Sequence, residues 1–275
     1  MAAHKIIFVS QEISPYLPAT DNARWGHSLP QSIQQRKYEV RTFMPDFGTI
    51  NERRNQLHEV IRLSGMNISI GESDHPLVVK VASMQPSRIQ VYFIDNEDYF
   101  QKLASDSDVF GTNRADNDER IIFFARGTME TARKLRWEPS LMEVSGWFSA
   151  LIPLYLRNIF NDGISFRDTK LVYTVLPEDK RIDGISDALF AKLEAEGVDA
   201  AVLEKYKSMP LTHDLLHKMA IDHADAVVFE METPDAALVE YCEAQGKEWK
   251  HFTGDGDHAD DYDALYKKLM SPDED

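Results

Sequence analysis

The chain has 275 residues, of which 43% are apolar and 28% charged, and it contains 13 Gly, 12 Pro and one Cys. These values are ordinary for globular proteins and exclude a collagen-like, a disordered or a disulfide-built protein. A formal charge of −16 repels phosphate backbones and anionic membrane surfaces, so we expect no nucleic-acid binding and no membrane binding. No apolar run approaches the roughly 20 residues that span a bilayer. Cys242 cannot pair within its own chain, and we expect a cytoplasmic protein.

Apolar periodicity predicts an α/β protein with one large folded unit. A buried strand at residues 5–10 is followed by a helix at 23–36, which Asp21 or Asn22 could cap, and by a strand at 38–44. This order is typical of a Rossmann-like, doubly wound, mostly parallel sheet. An antiparallel β excursion is predicted around residues 60–94, with strands at 61–63, 66–70, 77–82 and 89–94.

After this excursion the alternation of helices and strands returns. The predicted elements are helices at 118–135, 147–160, 185–196, 198–207, 213–223 and 235–245, and strands at 141–144, 170–175 and 226–230. An amphipathic stretch at 262–270 predicts a short helix that packs on the domain, whereas the last residues should fray. We therefore divide the chain into an α/β domain at 1–253 and an acidic C-terminal segment at 254–275. Edge strands around 60–94 offer a surface through which two copies could pair.

Residue patterns alone point to little chemistry. No glycine lies between Val9 and Gly26, so the first βα turn lacks the glycines that bring a backbone close to a diphosphate, and we expect no dinucleotide site there. His213 and His217 stand one helical turn apart, as zinc ligands do, but such a pair beside acidic residues is more typical of a solvated helix face. We therefore predict no metal site and no cofactor, and keep this pair as a weak metal candidate.

Two further groups have a structural and a functional interpretation. The acidic residues near the C-terminus lack the ligand order of an EF-hand and predict an acidic surface tail rather than a calcium site. They are Asp255, Asp257, Asp260, Asp261 and Asp263. Trp137 and Trp147 lie near the end of a predicted strand, where open α/β sheets hold ligands, and either core packing or stacking on a sugar ring fits them.

Several segments of the chain occur together in a known family. They are residues 5–10 leading into Glu12-Ile13-Ser14-Pro15-Tyr16, then 28–30, 40–45, 91–96 with 99–100, 116–120 with 123–124, 135–139, 150–156 and 218–221 with 224–225. In this combination the chain resembles, over roughly residues 5–240, the N-terminal domain of bacterial glycogen synthases and plant starch synthases. These are the family 5 glycosyltransferases of the GT-B fold. The resemblance implies a Rossmann-like domain and, in active members, glucose transfer from ADP-glucose to an α-1,4-glucan.

The first departures from the family fall in its nucleotide-sugar loop. The resemblance places Pro18 at the family's lysine, Thr20 and Asp21 at its Gly-Gly pair, and Arg24 at its loop aspartate. The lysine supplies a cation for the diphosphate, and the glycines let backbone N–H groups reach it. Neither task can be performed by the residues present here.

Further departures replace histidines. The family's His-x-His-Asp-Trp-His segment corresponds to residues 143–148, where Glu143, Ser145 and Phe148 take the histidine positions, and Leu176 takes that of a later Thr-Ile-His-Asn. Histidines supply hydrogen bonds and proton handling around the transferred glucose. GT-B enzymes also react in a cleft between two domains, and we expect this chain to end about where the second would begin.

These observations lead us to expect a glycogen/starch synthase-like protein that is non-catalytic and acts by binding an α-glucan or a protein partner. Two alternatives stay open: an ADP-glucose-dependent α-1,4-glucan glucosyltransferase completed by a separate C-terminal-domain chain, and an unrelated small-molecule or metal enzyme on the same frame. The predicted lining of a persisting ligand pocket is Glu12, Tyr16, Asn22, Trp147 and Ser149.

Overall fold

Strand β1 (Lys5–Ser10) stands near the middle of the sheet in the computed structural model, which describes residues 3–102, 108–161, 163–178 and 180–271. The other strands within these residues are β2 (Glu39–Pro45), β3 (His58–Glu59), β4 (Met66–Ile70), β5 (Ser73–Met84), β6 (Ile89–Asp95), β7 (Leu141–Ser145), β8 (Lys170–Val175), β9 (Ala226–Glu230) and β10 (Glu248–Phe252). The helices are α1 (Asp21–Gln35), α2 (Asn117–Lys134), α3 (Ile152–Asn158), α4 (Ala188–Ala195), α5 (Ala200–Leu203), α6 (His213–His223), α7 (Ala236–Ala244) and α8 (Ala259–Met270).

The sheet confirms the predicted Rossmann-like, doubly wound α/β architecture. Its strand order is β10-β9-β8-β7-β1-β2-β6-β5-β3, with β4 paired to β5, and the strands from β10 to β6 are all parallel. From β1 the chain winds outward through β2 and β6, and it then returns to the other side of β1 through β7 to β10. The strand order therefore reverses between β1 and β7, where the loops leaving the two strands diverge and open a crevice.

The antiparallel excursion is confirmed around β5, which pairs antiparallel with β3, β4 and β6. The predicted strand at 77–82 is part of the longer β5. The predicted strand at 61–63 is wrong, because the chain turns there and leaves Ile61 81% exposed. A short apolar run becomes a strand only when a neighbour accepts its backbone hydrogen bonds.

The start of helix α1 is set by a capping side chain. Thr20 caps α1: its backbone is extended and its Oγ1 accepts the N–H of Ala23 at 2.9 Å. The prediction that Asp21 or Asn22 caps this helix is therefore wrong, since both already lie within its first turn. Gly26 lets α1 approach the preceding loop closely, because a Cβ there would stand 2.6 Å from the carbonyl oxygen of Glu12.

Two predicted helices are interrupted, and two strands, the two-residue β3 and the edge strand β10, were not predicted. Residues 147–160 form a 3₁₀ turn (Trp147–Ser149) followed by α3, and residues 198–207 form α5 followed by a second 3₁₀ turn (Glu204–Tyr206). Strand β10 lies at the sheet edge with its residues half-buried or exposed, so it lacks the apolar run that marks β8 and β9. Within the described residues, no helix is both long and apolar enough to cross a membrane.

Helix α8 packs back onto the domain, as predicted. Tyr262, Leu265 and Tyr266 are buried in the core, and the Tyr262 ring lies 6.0 Å from that of Trp25 on α1. Aspartates of the acidic segment also bind the first half of the chain: Asp257 accepts from Ser32 at 2.6 Å and Asp263 from Tyr38 at 2.8 Å. Residues 272–275, which we expected to fray, lie outside the described residues.

A buried carboxyl group connects α8 to the centre of the sheet. Glu143 on β7 is 1% exposed and accepts hydrogen bonds from Thr174 at 2.6 Å and Tyr266 at 2.8 Å. Burial raises the pKa of Glu143 to about 8, against the two hydroxyl hydrogen bonds, which lower it. Glu143 is therefore largely protonated near neutral pH.

The stability of the protein should consequently depend on the protonation of Glu143. Between its unfolded and folded pKa values the unfolded chain releases a proton that the folded chain keeps, so the free energy of unfolding falls as the pH rises. We expect Glu143→Gln, which cannot ionise, to remove a slope of about 1 kcal/mol per pH unit from urea unfolding measured from about pH 5 to 8. The exposed Glu59→Gln should keep the wild-type slope. Equal slopes for all three proteins would contradict this assignment.

The cap of α1 predicts a second change in stability. Thr20→Ala removes the oxygen that accepts the Ala23 N–H and should lower the free energy of unfolding by about 0.5–2 kcal/mol. Thr20→Ser keeps that oxygen and should stay within about 0.5 kcal/mol of wild type. Urea denaturation of the three proteins measures both values. If the alanine and serine variants unfold alike, the capping role is refuted.

Candidate functional site

A cavity of about 310 Å³ lies at the carboxyl ends of β1 and β7, where the strand order reverses. We call it the switch-point cavity. Its position follows from the fold, because diverging loops leave space outside the sheet edge at this point. The cavity is lined by Gln11, Glu12, Thr20, Asp21, Asn22, Phe110, Thr112, Trp147, Pro177 and Glu178.

Glu12 is held in this wall by the cap of the first helix. Its Oε2 accepts a hydrogen bond from Thr20 Oγ1 at 2.5 Å, so the hydroxyl that caps α1 also orients the carboxylate. Burial raises the pKa of Glu12 while the Thr20 hydrogen bond lowers it, and the negative charge of Glu178 raises it further. Glu12 is therefore a positioned hydrogen-bond acceptor with only 6% of its surface exposed.

Gly146 allows the opposite wall to close around Glu178. Its φ of 84° is favourable for glycine, and a Cβ there would stand 3.0 Å from Glu178 Oε1. The next residue, Trp147, donates its backbone N–H to Glu178 Oε1 at 3.2 Å. Glu178 follows β8, so loops from three adjacent parallel strands meet at this point.

A second, larger cavity of about 800 Å³ adjoins the first, and we call it the outer cavity. The two share Asp21, Asn22 and Pro177, and Asn22 donates to the carbonyl oxygen of Pro177 at 2.7 Å across their boundary. Together they follow the carboxyl edge of the sheet from β1 to β10. The outer cavity includes the aromatic residues Trp25 and Phe252 and the carboxylates of Glu230, Glu232, Asp255 and Asp257.

The charge of this edge is strongly negative. None of the described residues that line the switch-point cavity is Lys or Arg. Arg24 lines the outer cavity but binds the Asp21 carboxylate and the Ala19 carbonyl oxygen. Lys180, two residues beyond Glu178, forms ion pairs with Asp214 and Asp235. The edge consequently offers many hydrogen-bond acceptors and little positive charge for a diphosphate.

The structure brings together three of the five predicted pocket residues. Glu12, Asn22 and Trp147 line the switch-point cavity, although Trp147 is only 1% exposed and packs at 5.0 Å from Phe148. Tyr16 instead borders a different cavity of about 640 Å³ and packs edge-on against Phe93 at 4.9 Å. Ser149 is fully buried and lies outside the switch-point cavity.

The residues at altered family positions are divided between the surface, the cavities and the core. Pro18 is exposed, Thr20 and Asp21 line the switch-point cavity, and Arg24 and Leu176 line the outer one. Glu143, Ser145 and Phe148 are buried. Ser145 donates to Ser10 at 3.2 Å, and Phe148 packs among the rings of Phe47, Phe100 and Phe124, so neither side chain faces a ligand cavity.

The histidine pair on α6 is buried, so its interpretation as a solvated helix face is wrong. His213 is 5% and His217 0% exposed, because this part of α6 faces α3 and β8. Both rings meet the Glu178 carboxylate, and the ligand atoms of the three residues lie within 4.8 Å of one another. Burial lowers the pKa of His217. Burial also opposes ionisation of Glu178, but hydrogen bonds from both histidines hold its pKa at about 2, so it is a carboxylate.

Sequence reasoning missed Glu178, which belongs both to the cavity and to the histidine cluster. A polar residue just beyond a buried parallel strand was the available signal. The acidic group near the C-terminus forms no comparable cluster within the described residues. Its aspartates are separated along α8 and the preceding turn, and Asp260 pairs with Arg36.

Comparisons with known proteins agree with this architecture. The sequence model of the starch synthase catalytic domain matches residues 5–230. The glycogen synthase of Chlorobium luteolum is 32% identical over 249 residues, which cover 88% of this chain and 50% of that protein. The glycogen synthase of Chlorobium phaeobacteroides is 38% identical over 172 residues, or 62% of this chain and 35% of that protein.

A solved structure shares the fold. The catalytic domain of starch synthase IV from Arabidopsis thaliana, bound to ADP and acarbose, superposes with a TM-score of 0.71 and 14% identity, over 93% of this chain and 52% of that one. The chain thus spans about half the length, or less, of these relatives. Because the family match extends over most of its residues, the protein belongs to the starch synthase catalytic domain family.

Proposed function

We propose that this glycogen/starch synthase-like protein binds an α-glucan along the carboxyl edge of its sheet and does not itself transfer glucose from ADP-glucose. The observation that carries the proposal is the charge of this edge. Glu12, Asp21 and Glu178 surround the switch-point cavity, where a nucleotide diphosphate would need cations or free backbone N–H groups. A neutral, hydroxyl-rich ligand meets no such repulsion.

The shape and chemistry of the two cavities support a glucan as that ligand. Carboxylate and amide oxygens accept hydrogen bonds from sugar hydroxyls, and Glu12 and Asn22 are already fixed by Thr20 and Pro177. The outer cavity adds Phe252, a half-buried ring against which a sugar can pack, and is also lined by Trp25, which is 6% exposed. Its volume of about 800 Å³ lies in the range of ligand pockets.

The absence of transfer is supported by residues at the family's catalytic positions. Phe148 lies in an aromatic cluster with Arg120 at 5.1 Å from its ring, and Leu176 offers only an apolar surface to the outer cavity. Neither side chain can hydrogen-bond a sugar or carry a proton. Glu143 is directed into the core, where Thr174 and Tyr266 bind it.

The glycogen synthase relatives favour a second candidate function. In that case this chain is one part of an ADP-glucose-dependent α-1,4-glucan glucosyltransferase, and a separate chain supplies the cations and histidines that the carboxyl edge lacks. The two functions differ in one measurable property of this chain, which is affinity for the nucleotide sugar.

Calorimetric titration of the purified protein distinguishes the two. We expect saturable binding of a malto-oligosaccharide, with acarbose as a second probe, and no saturable binding of ADP-glucose or ADP. Asn22→Ala should weaken sugar binding by roughly 2- to 10-fold, the value of one hydrogen bond. Asn161→Ala, an exposed asparagine outside both cavities, should leave it unchanged.

Each other result has a definite meaning. Saturable binding of ADP-glucose would refute the proposal and favour the two-chain enzyme. Binding of neither ligand by the folded protein would also refute glucan binding, and a protein partner would then be the remaining expectation. Equal affinities of the Asn22→Ala protein and the wild type would place the glucan outside these cavities.

A further inference from the structure

The cluster of Glu178, His213 and His217 is a candidate site that the proposed function does not use. Glu178 Oε2 lies 3.0 Å from His213 Nε2 and 3.5 Å from His217 Nε2, and the two histidine nitrogens are 3.1 Å apart. All three side chains are at least nine-tenths buried, with 6%, 6% and 0% exposed. Three ligand atoms thus form a small, nearly equilateral triangle below the switch-point cavity.

Without a metal, hydrogens on Nε2 of both histidines can point at the Glu178 carboxylate. Metal binding requires that both Nε2 atoms instead present lone pairs to the triangle. The surroundings of His217 allow this, because Tyr173 Oη lies 2.7 Å from His217 Nδ1 and 3.4 Å from the Gly146 carbonyl oxygen. When Tyr173 donates to that carbonyl oxygen, it can accept the Nδ1–H of His217, and Nε2 is then free to bind a metal.

A metal ion satisfies all three atoms, and the spacing fits one coordination geometry. Two ligands of a tetrahedral zinc ion, each about 2.0–2.1 Å from the metal, lie about 3.3 Å apart. The three distances in the triangle, 3.0, 3.1 and 3.5 Å, bracket that value. Calcium and magnesium require more ligands, nearly all of them oxygen, which this cluster does not offer.

We propose that Glu178, His213 and His217 bind one zinc ion, with a water molecule in the fourth position. Two imidazoles one turn apart on α6 and a carboxylate from another segment form a ligand set that zinc accepts. Because Glu178 also lines the switch-point cavity, the ion stands beneath that cavity. The zinc site does not rest on the proposed glucan binding, and either can fail without the other.

The surroundings supply the outer hydrogen bonds that metal-binding histidines require. Tyr173 holds Nδ1 of His217 and so orients its ring. Nδ1 of His213 has no hydrogen-bond partner in the described part of the chain, and Asp214 Oδ1 faces it at 3.7 Å. A zinc-bound His213 carries its hydrogen on Nδ1, where this carboxylate is the available acceptor.

The test starts from tag-free protein stripped with a chelator. We expect titration with Zn²⁺ in competition with a chromophoric chelator to give one equivalent of bound metal, and we expect zinc to raise the thermal unfolding midpoint, since the ion binds the folded state. Glu178→Gln and His217→Gln should abolish both effects. His223→Gln is the matched control: it lies on the same helix and binds the Met219 carbonyl oxygen outside the cluster, so it should bind zinc like wild type.

Two further measurements test the zinc site without relying on the ligand variants, which could fail to fold. Tyr173→Phe leaves the three ligands in place and should weaken zinc binding by about 10- to 100-fold. X-ray absorption of the zinc-loaded wild type should show only nitrogen and oxygen ligands at about 2.0–2.1 Å. Failure of the wild type to bind zinc would overturn the proposal. So would a sulfur ligand, which would point to Cys242, or unchanged affinity in folded Glu178→Gln protein.

Discussion

The reversal of strand order between β1 and β7 is the constraint on which the rest of this structure depends. β1 is paired in parallel on both sides, so the chain must leave it towards one face and return towards the other. The loops after β1, β7 and β8 therefore diverge, and they bring Glu12, Trp147 and Glu178 to one cavity although they are far apart in sequence. The crevice exists because of connectivity, whatever residues line it.

The residues in that crevice combine burial with negative charge, which normally costs stability. Hydrogen bonds from nearby groups offset this cost for each carboxylate. Glu12 accepts from the Thr20 hydroxyl that caps α1, and Glu178 accepts from the Trp147 N–H and from His213. These partners hold the acceptors in fixed directions before any ligand arrives. The family fold is thus kept with a negatively charged carboxyl edge, and in the function we propose this charge disfavours a phosphate relative to a neutral ligand.

The sequence predicts what local patterns determine and misses what packing determines. Strands β1, β8 and β9 are continuous apolar runs, and each is found where such runs predict it. Strand β10 mixes charged and aromatic residues at an edge and gives no such pattern. The predicted cap of α1, Asp21 or Asn22, lies one or two residues after the observed cap, Thr20. Sequence could not choose among the three because each has a side chain that can cap a helix.

The candidate site was predicted only in part, for a related reason. Spacing identifies His213 and His217 as a pair on one face of α6, but only the packing of that face shows that it is buried. Glu178 is 35 residues from His213, and nothing local connects them. The family resemblance directed attention to Tyr16 and Ser149, which pack elsewhere.

The return of α8 to α1 has a consequence for how the protein acquires its structure. Tyr38 hydrogen-bonds Asp263, which lies 225 residues later, and Ser145 on β7 hydrogen-bonds Ser10 on β1, which lies 135 residues earlier. The N-terminal segment of β1, α1 and β2 is therefore packed against segments that are synthesised much later. Chains in which such distant pairings predominate fold slowly, and their strand edges stay unpaired until the partner strands are in place. During synthesis one side of β1 therefore has no partner strand until β7 emerges.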